Sequence, residues 1–201
     1  MLRLLIVRHG ETVWNAQHRY QGQSDVPLSD AGRAQARALV GRLARETLSA
    51  VYVSDLSRAV ETAEIILEGR DVPLVKEPRL REMNFGALEG LTFKDAYARY
   101  PAEIDAWLKD YNTPPPGGED LDSFAARVGS LLDEVQTNHD EQAILLVAHG
   151  GPLSELARLA LGMPHTRRWS FVMDNAGLSE LQFNDGFPRV KFWNETCHFV
   201  R

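Results

Sequence analysis

Three short stretches of this chain are apolar without interruption: residues 4–7 (LLIV), 50–54 (AVYVS, closed by one serine) and 143–147 (AILLV). A strand with one face in water alternates apolar and polar side chains, so strands apolar throughout must be covered on both faces. That requires helices on either side of a mainly parallel sheet. Stretches of helical period supply the cover. Ala36, Leu39, Val40 and Leu43 share one face behind Ser29, a good N-cap, and Val60, Ala63 and Leu67 share another before Gly69. Phe124, Val128, Leu131, Leu132 and Val135 form a third stripe. Leu153, Leu156, Ala157 and Ala160 form a fourth, stopped by Gly162 and Pro164. Near the C-terminus, Asp185-Gly186 between two strand-like runs predicts a hairpin and antiparallel pairing at the sheet edge. The pattern predicts an α/β fold with a mostly parallel central sheet, helices on both faces and an antiparallel edge.

At 201 residues, 44% hydrophobic and 25% charged, the chain is expected to form one domain over residues 1–201. An insertion over one end of the sheet is expected near residues 84–120, where Tyr97, Tyr100, Trp107 and Tyr111 lead into the turn-rich NTPPPGGED. A single cysteine, Cys197, excludes an internal disulfide. With no leader pattern and no apolar stretch of membrane-spanning length, a cytoplasmic location is expected. The net charge of -6 argues against nucleic acid or an anionic membrane as partner, since both need clustered, uncompensated cations. Any anion the chain binds is therefore expected in a local pocket, with a small molecule as the partner.

Two of the apolar runs end alike, in LLIVRHG and ILLVAHG. Arg8 and His9 carry groups that are costly to bury unpaired, so something must offset them there. In open parallel sheets ligands bind beyond the carboxyl ends of the strands, which would bring His9 and His149 to one edge, each followed by a glycine that lets a ligand approach the backbone. Arg58 falls in the first turn of the helix leaving the second strand. A cation there opposes the helix dipole, and a bound anion explains it better than helix stability does. Arg8, His9, Arg58 and His149 are thus expected around one small anion, and phosphate matches guanidinium forks best. The GxxxxGK[ST] and GxGxxG loops are absent. His18, His139, His165 and His198 show no close metal-ligand spacing. The remaining chemistry is phosphoryl transfer without metal or cofactor. A neutral imidazole, its other N–H held by a backbone carbonyl, attacks phosphorus and forms a phosphohistidine. The leaving alkoxide then needs a proton, and Glu82 in RLREMNFG is the chosen donor ahead of Glu11, Glu61 and Glu119. The competing role for Glu82 is a surface ion pair with Arg79 or Arg81.

LLIVRHGETVWN, YQGQSDVPLSDAG, VYVSDLSRAVETA, LREMNFGALEG, PPGGED and LLVAHGG follow one another in this order. With them, essentially the whole chain resembles the histidine phosphatase superfamily, in its phosphoglycerate-mutase-like branch. The resemblance implies a three-layer α/β sandwich and no metal. It implies His9 as nucleophile, Arg8, Arg58 and His149 as phosphate pocket, and Glu82 as proton donor. Asn15, Gln21, Gly22 and Gly150 are implied as further phosphate-side or substrate-side contacts. The superfamily contains mutases and phosphatases. Where the mutases resemble Glu-Arg-His-Tyr-Gly after the donor, this chain has Glu82-Met83-Asn84-Phe85-Gly86, two potential cations fewer. The resemblance then implies a histidine acid-type phosphatase, a metal-independent phosphomonoesterase acting on a small phosphorylated metabolite through phosphohistidine. A phosphoglycerate mutase and a non-catalytic phosphate-binding module are the alternatives. The tail WNETCHFV resembles that of α-ribazole phosphatases and broad-specificity bacterial phosphatases. Selectivity is expected in Trp14, Arg19, Tyr20 and the 84–120 segment. A homodimer is a base-rate expectation that no sequence feature requires.

Overall fold

The computed structural model describes residues 1–110 and 112–199. Tyr111 of the aromatic segment and the last two positions of the expected 1–201 domain lie outside the described residues. In chain order the elements are β1 (Leu2–Arg8), α1 (Val13–Ala16), α2 (Asp30–Leu43), β2 (Ala50–Val53), α3 (Ser57–Ile66), β3 (Leu74–Lys76), α4 (Phe93–Arg99), α5 (Pro101–Lys109), α6 (Leu121–Asn138), β4 (Ala143–Ala148), α7 (Gly150–Ala160), β5 (Leu178–Asn184) and β6 (Phe187–Glu195). Short 3-10 turns cover Pro78–Leu80, Gly86–Leu88 and His165–Ser170.

The strands form one sheet in the order β3-β2-β4-β1-β5-β6. The first four are parallel, and β5 and β6 add the antiparallel edge. The period of two along β1 sorts its side chains between layers. Leu4 and Ile6 pack with Ile144 and Leu146 under α6 and α7, against Phe124, Leu131 and Leu156. Leu5 and Val7 pack with Leu145 and Val147 under α2 and α3, against Leu39, Leu43, Ala63 and Ile66. Both faces of the central strands are thus covered, the arrangement an uninterrupted apolar run requires. Among the described residues no helix is long and apolar enough to cross a membrane.

Local chemistry sets the element ends. The Ser29 hydroxyl accepts the Gly32 N–H and opens α2. At the hairpin, Asp185 and Gly186 take φ of 50° and 76°, the left-handed pair of a two-residue turn that sets Asn184 opposite Phe187. Strand β2 ends at Val53, one residue before the end of the second apolar run, and Ser54 N–H still donates to the Val147 carbonyl at 3.0 Å while its side chain turns toward β4's end. β3 has no counterpart in the sequence reading. Its three residues form a partly exposed edge with neither alternation nor length to mark it.

Residues 85–107 build a small core of their own together with Tyr20. Leu88, Ala96, Ile104 and Trp107 are buried together, with Tyr20, Phe85, Leu91 and Tyr100 packed against them. Phe85 also packs on the sheet core beneath α6 and α7, which ties this cap to the main body. Tyr20 N–H donates to the Leu91 carbonyl and Gly90 N–H to the Tyr20 carbonyl, so the loop after α1 is laced to the cap.

Candidate active site

β1 and β4 are parallel neighbours with Val7 opposite Val147 and Arg8 opposite Ala148, so the next residue of each emerges at the same edge. The rings of His9 and His149 stand 4.9 Å apart, inclined at 60°, and both are buried. His9 Nδ1–H donates to the Gly10 carbonyl at 2.7 Å, the tautomer being assigned from that acceptor, and this leaves a lone pair on Nε2. Burial, then the charges of Arg58 and Arg8, hold His9 well below the ordinary imidazole range, against the smaller opposite pull of the Gly10 bond. The His9 carbonyl is fixed in turn by Asn175 Nδ2 at 3.0 Å and Ala176 N–H at 3.2 Å.

Arg58 enters from the first turn of α3, whose N-cap makes no side-chain bond, and is fully buried. Its fork donates to the Ser24 carbonyl at 2.8 Å and the Gly22 carbonyl at 2.7 Å, and its Nε to His149 Nδ1 at 3.2 Å. Because His149 Nδ1 accepts, the ring proton sits on Nε2, 2.8 Å from the Ser54 hydroxyl. Burial leads in depressing His149, followed by Arg58. Burial also pulls Arg58 down to about 10, against Glu82, Asp25 and Glu89, so it stays charged at neutral pH. Arg8 donates to the Met173 carbonyl at 2.6 Å, while its buried Nε has no hydrogen-bond partner among the described residues. A desolvated, unpaired guanidinium N–H beside a second guanidinium is suited to an anion. The expected four residues therefore meet. His149, however, has both ring nitrogens engaged, so in this arrangement it orients Arg58 rather than offering a free N–H.

The glutamates separate cleanly. Arg79 pairs with Glu77 and Glu134, Arg81 with Asp55, Arg33 with Glu61 and Arg127 with Glu119. Glu11 accepts from the Ser29 hydroxyl. Glu82 pairs with neither Arg79 nor Arg81. Its carboxylate accepts Met83 N–H at 2.8 Å and, at 3.1 Å, Gly151 N–H in the first turn of α7. A Cβ on Gly151 would lie 2.1 Å from Glu82 Oε1, so glycine is what admits the carboxylate here.

Asn15 closes a capping box with Thr12. Its oxygen takes Thr12 N–H at 3.0 Å and Asn175 Nδ2 at 3.3 Å, which leaves the amide NH2 for a ligand. Gln21 accepts from the Thr12 hydroxyl at 2.8 Å. Gly22, at φ 53°, serves through its carbonyl on Arg58, and Gly150 begins α7 beside Arg8. Sequence reasoning missed Ser54, Glu89 and Asn175. Glu89 accepts from Gln23 N–H, Phe85 N–H and both the N–H and hydroxyl of Ser24, joining the loop that holds Arg58 to the cap. Of the expected selectivity residues, Arg19 donates to the Gly90 carbonyl at 2.6 Å and Trp14 packs against Gly90. A cavity of about 220 Å³ beside Arg8, Gly150 and Gly151 is walled instead by Trp169, Phe171 and Met173, a segment the sequence reading did not single out. Among the described residues no three His, Cys, Asp or Glu side chains gather as metal ligands would.

Residues 4–196 match the family model described as histidine phosphatase superfamily (branch 1). The chain is 34% identical over 199 residues to phosphoserine phosphatase 1 of Hydrogenobacter thermophilus, covering 98% of this chain and 94% of that one. It is 34% identical over 200 residues to phosphoglycerate mutase-like protein 4 of Arabidopsis thaliana, covering 97% and 86%. The α-ribazole phosphatase structure from Shigella flexneri superposes with a TM-score of 0.93 at 32% identity, covering 99% of each chain. The paired histidines at the ends of two parallel strands thus sit in a chain that belongs to the histidine phosphatase superfamily.

Proposed function

We propose that this protein is a metal-independent phosphomonoesterase that hydrolyses a small phosphorylated metabolite through a phosphohistidine on His9. The observation that carries the reading is the bare Nε2 of a buried neutral imidazole, with two guanidiniums and a second imidazole around it. Nε2 attacks phosphorus in line with the leaving oxygen. The P–N bond forms as the P–O bond breaks, and Glu82 gives its proton to the departing oxygen. Arg8 and Arg58 hold the non-bridging oxygens, and His149 keeps Arg58 aimed. Glu82, now a base, takes a proton from water, whose oxygen displaces His9 and releases phosphate.

Hydrolysis is favoured over transfer by the three residues after Glu82. Met83 is fully buried, the Asn84 side chain caps Gly86 N–H at 2.8 Å, and Phe85 packs into two cores. None of these positions offers a cation to the carboxylate of a phosphoglycerate. The names of the relatives that act on phosphoserine and α-ribazole phosphate support a small phosphorylated metabolite as substrate. The test is phosphate release from a panel of phosphoserine, phosphoglycerates, sugar phosphates and α-ribazole phosphate, with excess chelator present. Turnover is expected to persist in chelator and to fall by several orders of magnitude in His9→Ala. Rapid interconversion of 3- and 2-phosphoglycerate with little phosphate released would overturn hydrolysis in favour of the mutase.

A further inference from the structure

The loop that carries Glu82 has almost no regular secondary structure of its own, yet a general acid must be placed within hydrogen-bond reach of the leaving oxygen. Gln23 Nε2 donates to the Glu82 carbonyl at 3.2 Å, and the rest of the backbone support comes from one residue of α6. Arg127, in α6, donates through Nη1 to the carbonyls of Arg79 and Arg81 at 2.7 and 2.8 Å, and through Nη2 to the carbonyl of Glu82 at 3.0 Å. Its Nε and Nη2 also hold the two oxygens of Glu119 at 2.7 and 2.9 Å. A guanidinium has five N–H bonds, and here five acceptors take them. Glu119 closes the frame, because its carboxylate accepts Asn84 N–H at 3.3 Å and its own N–H donates to the Asn84 carbonyl at 2.9 Å. The guanidinium lies over the ring of Phe124 at 4.8 Å, and that ring abuts Gly151, whose N–H meets the Glu82 carboxylate. Arg127 therefore templates both ends of the Glu82 environment, the backbone directly and the α7 side through Phe124.

We infer that Arg127 is the positioning residue for the proton donor, so that its planar fork, and not its charge, sets the efficiency of leaving-group protonation. The inference rests on the reading of Glu82 as the general acid. Lysine keeps the charge but offers three donors on one atom, and cannot span three carbonyls and a bidentate carboxylate. The step it supports is proton transfer from the Glu82 carboxyl to the bridging oxygen as the P–O bond breaks. That transfer matters for an alkoxide and hardly at all for p-nitrophenolate, a weakly basic leaving group.

The experiment compares an alkyl phosphate such as phosphoserine with p-nitrophenyl phosphate in wild type, Arg127→Lys, Glu82→Gln and the double variant, with thermal melting to verify folding. Arg127→Lys is expected to lower kcat/KM on the alkyl phosphate by about 10- to 100-fold, within the range of general acid catalysis, kcat/KM being the quantity read throughout because it reports phosphorylation of His9 and not the later hydrolysis, common to both substrates, in which Glu82 serves as base. Its loss on p-nitrophenyl phosphate should be about threefold or less by the same reasoning. The double variant should be no slower on the alkyl phosphate than Glu82→Gln alone, as for residues that act as a unit. Equal losses of Arg127→Lys on both substrates, with Glu82→Gln discriminating between them, would overturn the positioning role. If Glu82→Gln itself fails to discriminate, the reading of Glu82 as acid fails, and the inference falls with it. Should Arg127→Lys melt far below wild type, Glu119→Gln provides the second variant, since it loosens the same fork from outside. A smaller loss confined to the alkyl phosphate supports the inference, and none overturns it.

Discussion

Ser54 shows how one hydroxyl sets the electrostatics of this pocket. It stands 2.8 Å from His149 Nε2, and that contact directs the ring's lone pair at Nδ1 toward Arg58 Nε. Ser54→Ala leaves a buried N–H without an acceptor, which costs about 1–3 kcal/mol of stability, and frees the ring to turn away from Arg58. The expected outcome is a lower urea midpoint together with weaker competitive inhibition by inorganic phosphate. Unchanged phosphate inhibition would show that Arg58 is held well enough by the Gly22 and Ser24 carbonyls alone. The residues legible in the sequence were those whose chemistry clashes with their place. Arg8 and His9 end an apolar run, and Arg58 opposes a helix dipole. Ser54, Glu89 and Asn175 were not legible, because their partners are backbone groups or side chains distant in sequence, and a serine after a strand or an asparagine in a loop violates no local rule.

Helices and strands of this chain are placed largely by apolar period, so the sheet core, the four long helices and the hairpin could be read directly. Edge strand β3 could not, being too short for a pattern, and although the 84–120 segment stood out as an insertion, its helices α4 and α5 and the part Tyr20 takes in its core did not, since that core draws on residues spread between Tyr20 and Trp107. Where elements meet at glycine, packing makes two opposite demands. A Cβ on Gly32 in α2 would lie 2.1 Å from the backbone oxygen of Glu11, and one on Gly10 2.4 Å from the oxygen of Gly32. Neither backbone can yield without moving the turn that carries His9. The Cβ of Gly151→Ala would instead meet the end of a flexible side chain, Glu82. Gly32→Ala is therefore expected to lower the melting temperature, although alanine is intrinsically better in a helix by about 1 kcal/mol. Gly151→Ala is expected to keep or raise the melting temperature while slowing alkyl phosphate turnover about tenfold, through a displaced general acid. Full activity in Gly151→Ala would show that Glu82 works from a second position as well.

For the whole molecule, the pocket makes stability depend on pH in a window that the surface charges do not share. His9 and His149 are buried and held well below the ordinary imidazole range, mainly by burial and then by the arginines. The unfolded chain takes up protons on both as pH falls through about 6.5, while the folded chain does not. Folding is then progressively disfavoured by about 1.4 kcal/mol per pH unit for each imidazole. Carboxylates act lower. Arg81, Arg79 and Arg42 hold Asp55, Glu77 and Glu195 below the usual range, so the stability they confer is present above about pH 4 and lost only as pH falls through their folded values. Between pH 6.5 and 5 the slope thus belongs chiefly to the imidazoles, with His198, also depressed by burial, adding in the same sense. Urea unfolding measured across that range should show a falling midpoint in wild type and a shallower fall in His9→Asn, with His149→Asn behaving likewise. Identical slopes in all three proteins would mean that the two rings take up protons in the folded state, and the neutral nucleophile on which the proposed chemistry depends would be lost with them.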